Sequence, residues 1–124
     1  MAMSCGIDGI VATNTTLQRP NVDHKVYNEQ GGCSGAPLRQ QSTEMIRHIY
    51  AHTNGMLPIV GVGGIMNADD AWEKITAGAT LIQAYAGFVF EGPGLTKAIV
   101  HGLHKRMKSS GFSSITEAIG SANK

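Results

Sequence analysis

Four stretches carry the residues that could do chemistry: ATNTT (Ala12–Thr16), GGCSG (Gly31–Gly35), GVGG (Gly61–Gly64) and YAG (Tyr85–Gly87). The last two each follow a short run of β-formers and sit about twenty residues apart. Glycine lets main-chain N–H groups approach an anion with no Cβ in the way. Loops that leave neighbouring strands of a parallel sheet lie side by side, so two such loops can wrap one phosphate. The same glycines can also serve only to turn the chain and pack helix on strand; their pairing at adjacent strand ends favours phosphate. A dinucleotide fingerprint is excluded. Met66 stands where G-x-G-x-x-G requires its last glycine, and no acid follows at the right distance.

ATNTT ends an apolar run with four polar side chains, Thr13, Asn14, Thr15 and Thr16. An Asn carboxamide offers a donor and an acceptor on one plane, which suits a flat heterocycle carrying amides. An Asx or Thr turn explains the same residues equally well. Gly31, Gly32 and Gly35 either keep the backbone bare near a ligand or make a pliable loop. Other chemistry is poorly supported. The pairs His48/His52 and His101/His104 have helical spacing, but no Glu or Cys completes a four-ligand set. Asp69, Asp70 and Glu73 read as a helix start matched to its dipole, and HKRMK (His104–Lys108) as a solvated face.

The elements that must position these residues follow from periodicity. Strands are expected near 9–13, 58–62 and 80–85, and helices near 37–54, 67–77 and 93–109. The first helix carries Met45, Ile46, Ile49 and Thr53 as its apolar stripe and closes at Gly55. LPIVGVGG, uncharged and β-branched, reads as a strand covered on both faces. Asn67 caps the second helix, which buries Ala71, Trp72 and Ile75. The last long helix turns Leu95, Ala98, Ile99, Leu103 and Met107 to one side. Between Gln18 and Leu38 runs a loop too long to be mere connection, the kind found at functional sites. Strand and helix alternate, which requires parallel strands with crossover helices. Three such strands leave both sheet edges open, and a closed (β/α)8 barrel needs about 250 residues.

The chain has 124 residues and a formal charge of +1. Near-neutrality gives no concentrated basic face for nucleic acid. Two cysteines without a C-x-x-C pair fit a reducing compartment. No secretory signal is read at the start, and no apolar run approaches the roughly 20 residues that span a bilayer.

Taken in order, DGIVATNTT followed by RP, GGCSGAPLRQQSTEMIRHIY, LPIVGVGGI, AGATLIQAYAGFVFEGPGL and GFSSITEAIG closely resemble the carboxyl-terminal part of dihydroorotate dehydrogenase. The resemblance covers essentially the whole chain, and the tail is most similar to the quinone-reducing class. It implies an α/β fold, the carboxyl-terminal three strand–helix units of a (β/α)8 TIM barrel, as part of an FMN-binding domain. It implies oxidation of dihydroorotate to orotate through FMN, with a quinone as acceptor, in de novo pyrimidine (UMP) biosynthesis. By motif position Thr13 lies near the flavin, Asn14 and Thr15 contact the pyrimidine, and Gly35 approaches the flavin. Gly64, Tyr85 and Ala86 hold the FMN phosphate.

The resemblance also implies what other parts of such a barrel supply. The catalytic serine base, a flavin-contacting lysine, much of the orotate pocket and the membrane-docking segment belong to earlier strands. No catalytic residue is therefore assigned among these 124, and the chain alone is expected to be inactive and soluble. The whole protein is expected at the cytoplasmic face of a bacterial inner membrane, or at the mitochondrial inner membrane. Two departures stand out: Cys33 replaces the family's usual Leu and reads as packing rather than a nucleophile. Ala86 takes a place often held by Ser or Thr, which matters little if the contact there is main-chain N–H. Two rival readings are a non-redox, phosphate-binding half-barrel that self-associates, and a related FMN barrel acting on another dihydropyrimidine.

Overall fold

The computed structural model describes residues 5–18 and 29–123. The expected Gln18–Leu38 loop lies partly outside them, at residues 19–28, as does the start of the chain. Three parallel strands, β1 (Ile10–Ala12), β2 (Ile59–Val62) and β3 (Leu81–Gln83), pair in chain order. The crossovers are α1 (Arg39–His52), entered through a 3-10 turn at Ala36–Leu38, and α2 (Ala68–Ala77). After β3 come a short helix α3 (Ala86–Glu91), the long α4 (Gly94–Ser109) and one turn, α5 (Ile115–Ala118).

Local chemistry accounts for the helix ends. The Asn67 carboxamide oxygen accepts the Asp69 and Asp70 N–H groups, satisfying two donors that α2 itself cannot. At the end of α1 the chain turns through Asn54 and Gly55, both with positive φ, and Gly55 N–H donates back to Tyr50 O.

Register divides the sheet into two faces. Ile10 and Ile59 point with Ala12, Gly61 and Ile82 toward the helices, where Ile46 and Ile59 are fully buried among Ala12, Ala77 and Ala79. A second cluster joins Ile65, Ala71, Leu95 and Ile99 between α2 and α4. The opposite face bears the row Val11–Val60–Leu81, and Val11 and Leu81 are 60% and 62% exposed. This corrects the expectation that β2 is covered on both sides: the described helices pack on one face alone. In the closed barrel that the resemblance implies, that face would turn inward.

Smaller corrections follow from packing. Met45 lies off the α1 stripe and is exposed, Ala98 is exposed, and Trp72 is only half-buried, its ring tilted against Phe112. The third strand is shorter than expected, and AGFVFE forms α3 instead of loop. Ile46→Ala removes one of the two fully buried isoleucines from the cluster under the sheet. It should cost about 2–5 kcal/mol, read as a lower urea midpoint with an unchanged slope; an unchanged midpoint would contradict this account of the core.

Candidate functional site

A cavity of about 380 Å³ opens at the carboxyl ends of all three strands. β1 leads into it through Thr13, Asn14 and Thr15, β2 through Gly63, Gly64 and Ile65, and β3 through Ala84, Tyr85 and Ala86. Ser34, Gly35 and Leu38 complete the wall from the segment that precedes α1. The parallel register explains the convergence, since strands that run the same way end at the same edge. Thr13 N–H still donates to Val62 O (2.9 Å), so the polar cluster starts as a direct extension of the ladder.

Polar groups here are left over in a telling way. Thr13 Oγ1 is buried and has no hydrogen-bond partner among the described residues, a state that buried hydroxyls rarely keep. The N–H groups of Gly64 and Ala86 find no acceptor among the described residues. Asn14 is divided: its carboxamide oxygen takes the Thr15 N–H (2.8 Å), a local turn bond, and its amide nitrogen has no partner among the described residues. The turn is therefore present, and the exposed amide nitrogen remains open to solvent at the cavity wall. Tyr85 lines the wall and is largely exposed.

Two close approaches hold the glycine loops. Gly64 has φ of 71°, and a Cβ on it would overlap the backbone N and Cα of Arg39. A Cβ on Gly87 would strike Ile65 O, which brings the YAG loop against the GVGG loop. A Cβ built on Gly35 would meet the Ala86 methyl at ordinary contact distance, so the two loops lie side by side.

Behind the cavity stands a charged network. Asp70, nearly buried, accepts Arg39 Nη1 on one oxygen (2.8 Å) and Met66 N–H on the other (2.9 Å). Ser42 Oγ donates to Gly63 O (2.8 Å). Lys74 is fully buried; its ammonium donates to Arg39 O (2.8 Å) and to Thr43 Oγ1. Burial pushes its pKa down to about 8; the Glu73 and Asp70 carboxylates oppose that shift and the Arg39 guanidinium adds to it. Asp70 raises the Arg39 pKa further, chiefly through the hydrogen bond.

A sequence profile described as dihydroorotate dehydrogenase matches residues 1–107. The chain belongs to the dihydroorotate dehydrogenase family. Relatives named dihydroorotate dehydrogenase (quinone) share 51% identity in Trichodesmium erythraeum and 48% in Nostoc punctiforme, over 95% and 97% of this chain. The aligned part is 33% and 34% of those proteins, so the chain spans about a third of their length. Among solved structures, ligand-free dihydroorotate dehydrogenase from Eimeria tenella superposes with a TM-score of 0.93 at 34% identity. That match covers 99% of this chain and 34% of the other. The three strand–helix units are thus part of a dihydroorotate dehydrogenase barrel, with the sheet unclosed.

All seven residues singled out in the sequence, Thr13, Asn14, Thr15, Gly35, Gly64, Tyr85 and Ala86, line the one cavity. Sequence reasoning missed Gln83, although its alternation with Leu81 already puts it on the inner sheet face. It also missed Lys74 and the structural use of Asp70, since partners over thirty residues away leave no local pattern. The histidine pairs stay exposed, and no group of three metal-ligating side chains occurs among the described residues. Gly64→Ala should push the loop off Arg39 and lower stability by about 1–3 kcal/mol, measured in urea; a wild-type midpoint would show the approach to be loose.

Proposed function

We propose that this chain forms one wall of the FMN and pyrimidine site of a quinone-dependent dihydroorotate dehydrogenase, as the carboxyl-terminal part of its barrel. The observation that carries the reading is the buried Thr13 hydroxyl, which has no partner among the described residues, beside main-chain donors likewise unpaired among them, in a cavity of mixed lining. A phosphate alone needs only the glycine loops. A buried hydroxyl and a carboxamide at the tip of the neighbouring strand call for a polar heterocycle as well, which favours a flavin and a pyrimidine over the phosphate-binding half-barrel.

In this reading Gly64, Tyr85 and Ala86 hold the FMN phosphate by main-chain N–H donation. Thr13 and Gly35 lie along the flavin, and Asn14 and Thr15 orient the dihydroorotate ring. FMN, when bound, supplies the two-electron acceptor that passes reducing equivalents to a quinone. Apolar Leu38, Val62 and Ile65 line the same wall and keep water from it. The base that removes the substrate proton, the remaining pyrimidine contacts and the membrane attachment are assigned to other parts of the complete enzyme. Among the described residues no helix is long and apolar enough to cross a membrane.

The test compares the 124-residue chain with a complete polypeptide that carries it, by flavin content after gel filtration and by dihydroorotate-dependent dye reduction. The complete polypeptide should be yellow and active, and the short chain colourless and inactive. Robust turnover by the short chain would overturn the assignment of the base. A colourless dimer formed only with phosphate would favour the rival half-barrel.

A further inference from the structure

Lys74 is the fully buried cation of the network, and the proposed function gives it no part. Its side chain is fully buried between α2 and the first turn of α1, and Gly61 of β2 lies beside its Cβ. It donates to Arg39 O, and the Arg39 backbone is the surface against which Gly64 rests. Those contacts keep the ammonium within about 9 Å of Gly64 by ordinary bond lengths. The charged groups around it are Asp70 and Glu73 on α2 and Arg39 on α1. Asp70 is taken up by Arg39 and Met66, and Glu73 reaches Arg39 only at 3.9 Å. β2 and β3 bring no charge to Lys74, and Arg106 of α4 pairs with Asp69 instead.

We propose that Lys74 is a positioning residue for the anion loop, a buried cation whose charge reinforces phosphate binding at Gly64 and whose hydrogen bonds fix Arg39 beneath it. The inference rests on the phosphate assignment made above. A buried cation within about 9 Å of Gly64 strengthens anion binding there by about tenfold.

The charge has a defined titration. With the folded pKa lowered to about 8 and the unfolded value near the ordinary one, the unfolded chain binds more protons between those limits. Folding stability therefore rises with pH above 8 on account of Lys74. Phosphate binding runs the other way, because it loses the ammonium's attraction over the same range. The phosphate itself is already dianionic there, its second pKa lying near about 6. A merely structural lysine would not separate the two trends.

The experiment titrates FMN into the apo form of the complete polypeptide from pH 7 to 9.5, following flavin fluorescence, with urea midpoints taken alongside. Wild type should lose about tenfold in affinity across that range while its urea midpoint rises. Lys74→Arg, charged throughout, should keep the affinity flat, and Lys74→Met should bind weakly and flatly from the start. Should one variant fail to fold, the other and the wild-type comparison still decide. Equal pH dependence in wild type and a folded variant would overturn the role of Lys74 and leave the flavin reading intact. Absence of FMN binding by wild type at every pH would overturn the flavin reading and this inference with it.

Discussion

The Arg39 backbone lies against Gly64 so closely that no side chain fits between them. That contact fixes where the loop after β2 can go, and much else is arranged to maintain it. Ser42 holds the Gly63 carbonyl, Asp70 holds the Met66 N–H and the Arg39 guanidinium, and Lys74 holds the Arg39 carbonyl. α1 and α2 are thereby joined through polar bonds at the carboxyl edge of the sheet and through Ile46, Ile59 and Ala77 beneath it. Removing one partner of such a buried network strands the others, so its members act as a unit.

This arrangement supplies the rigidity that the proposed anion loop requires. The donors at Gly64 and Ala86 have no acceptor among the described residues, whose packing fixes where these loops lie. Donors aimed in advance bind charge without reorganisation, which is the physical advantage of building a phosphate site from glycine turns on a rigid sheet. The exposed Val11–Val60–Leu81 row fits the same scheme. Its apolar side chains suit the packed layers inside a barrel better than a face turned to water.

Much of this was legible in the sequence because it depends on short-range signals. Asn67 marks its helix start, Gly55 and Gly78 mark helix ends, and β-branched runs before GVGG and YAG mark strands that end at the site. The seven cavity residues follow from those strand ends and from motif order. What stayed hidden depends on distance in the chain or on ambiguous local preference. AGFVFE is apolar, β-branched at Val89 and lacks a capping side chain, so nothing local separates α3 from loop. Asp70 resembles any acidic residue in a first helical turn; only the fold brings Arg39 and Met66 to it. Lys74 falls in an ordinary charged pattern, and its burial arises from α1 closing over it.

The central claim is that two main-chain amides, at the tips of neighbouring strands, grip one phosphate. A crystal structure of the complete polypeptide with FMN measures it directly. The phosphate oxygens should lie about 2.7–3.2 Å from the Gly64 and Ala86 nitrogens, with the Thr13 hydroxyl hydrogen-bonded to the flavin. A phosphate seated elsewhere, or held by only one of the two loops, would contradict it.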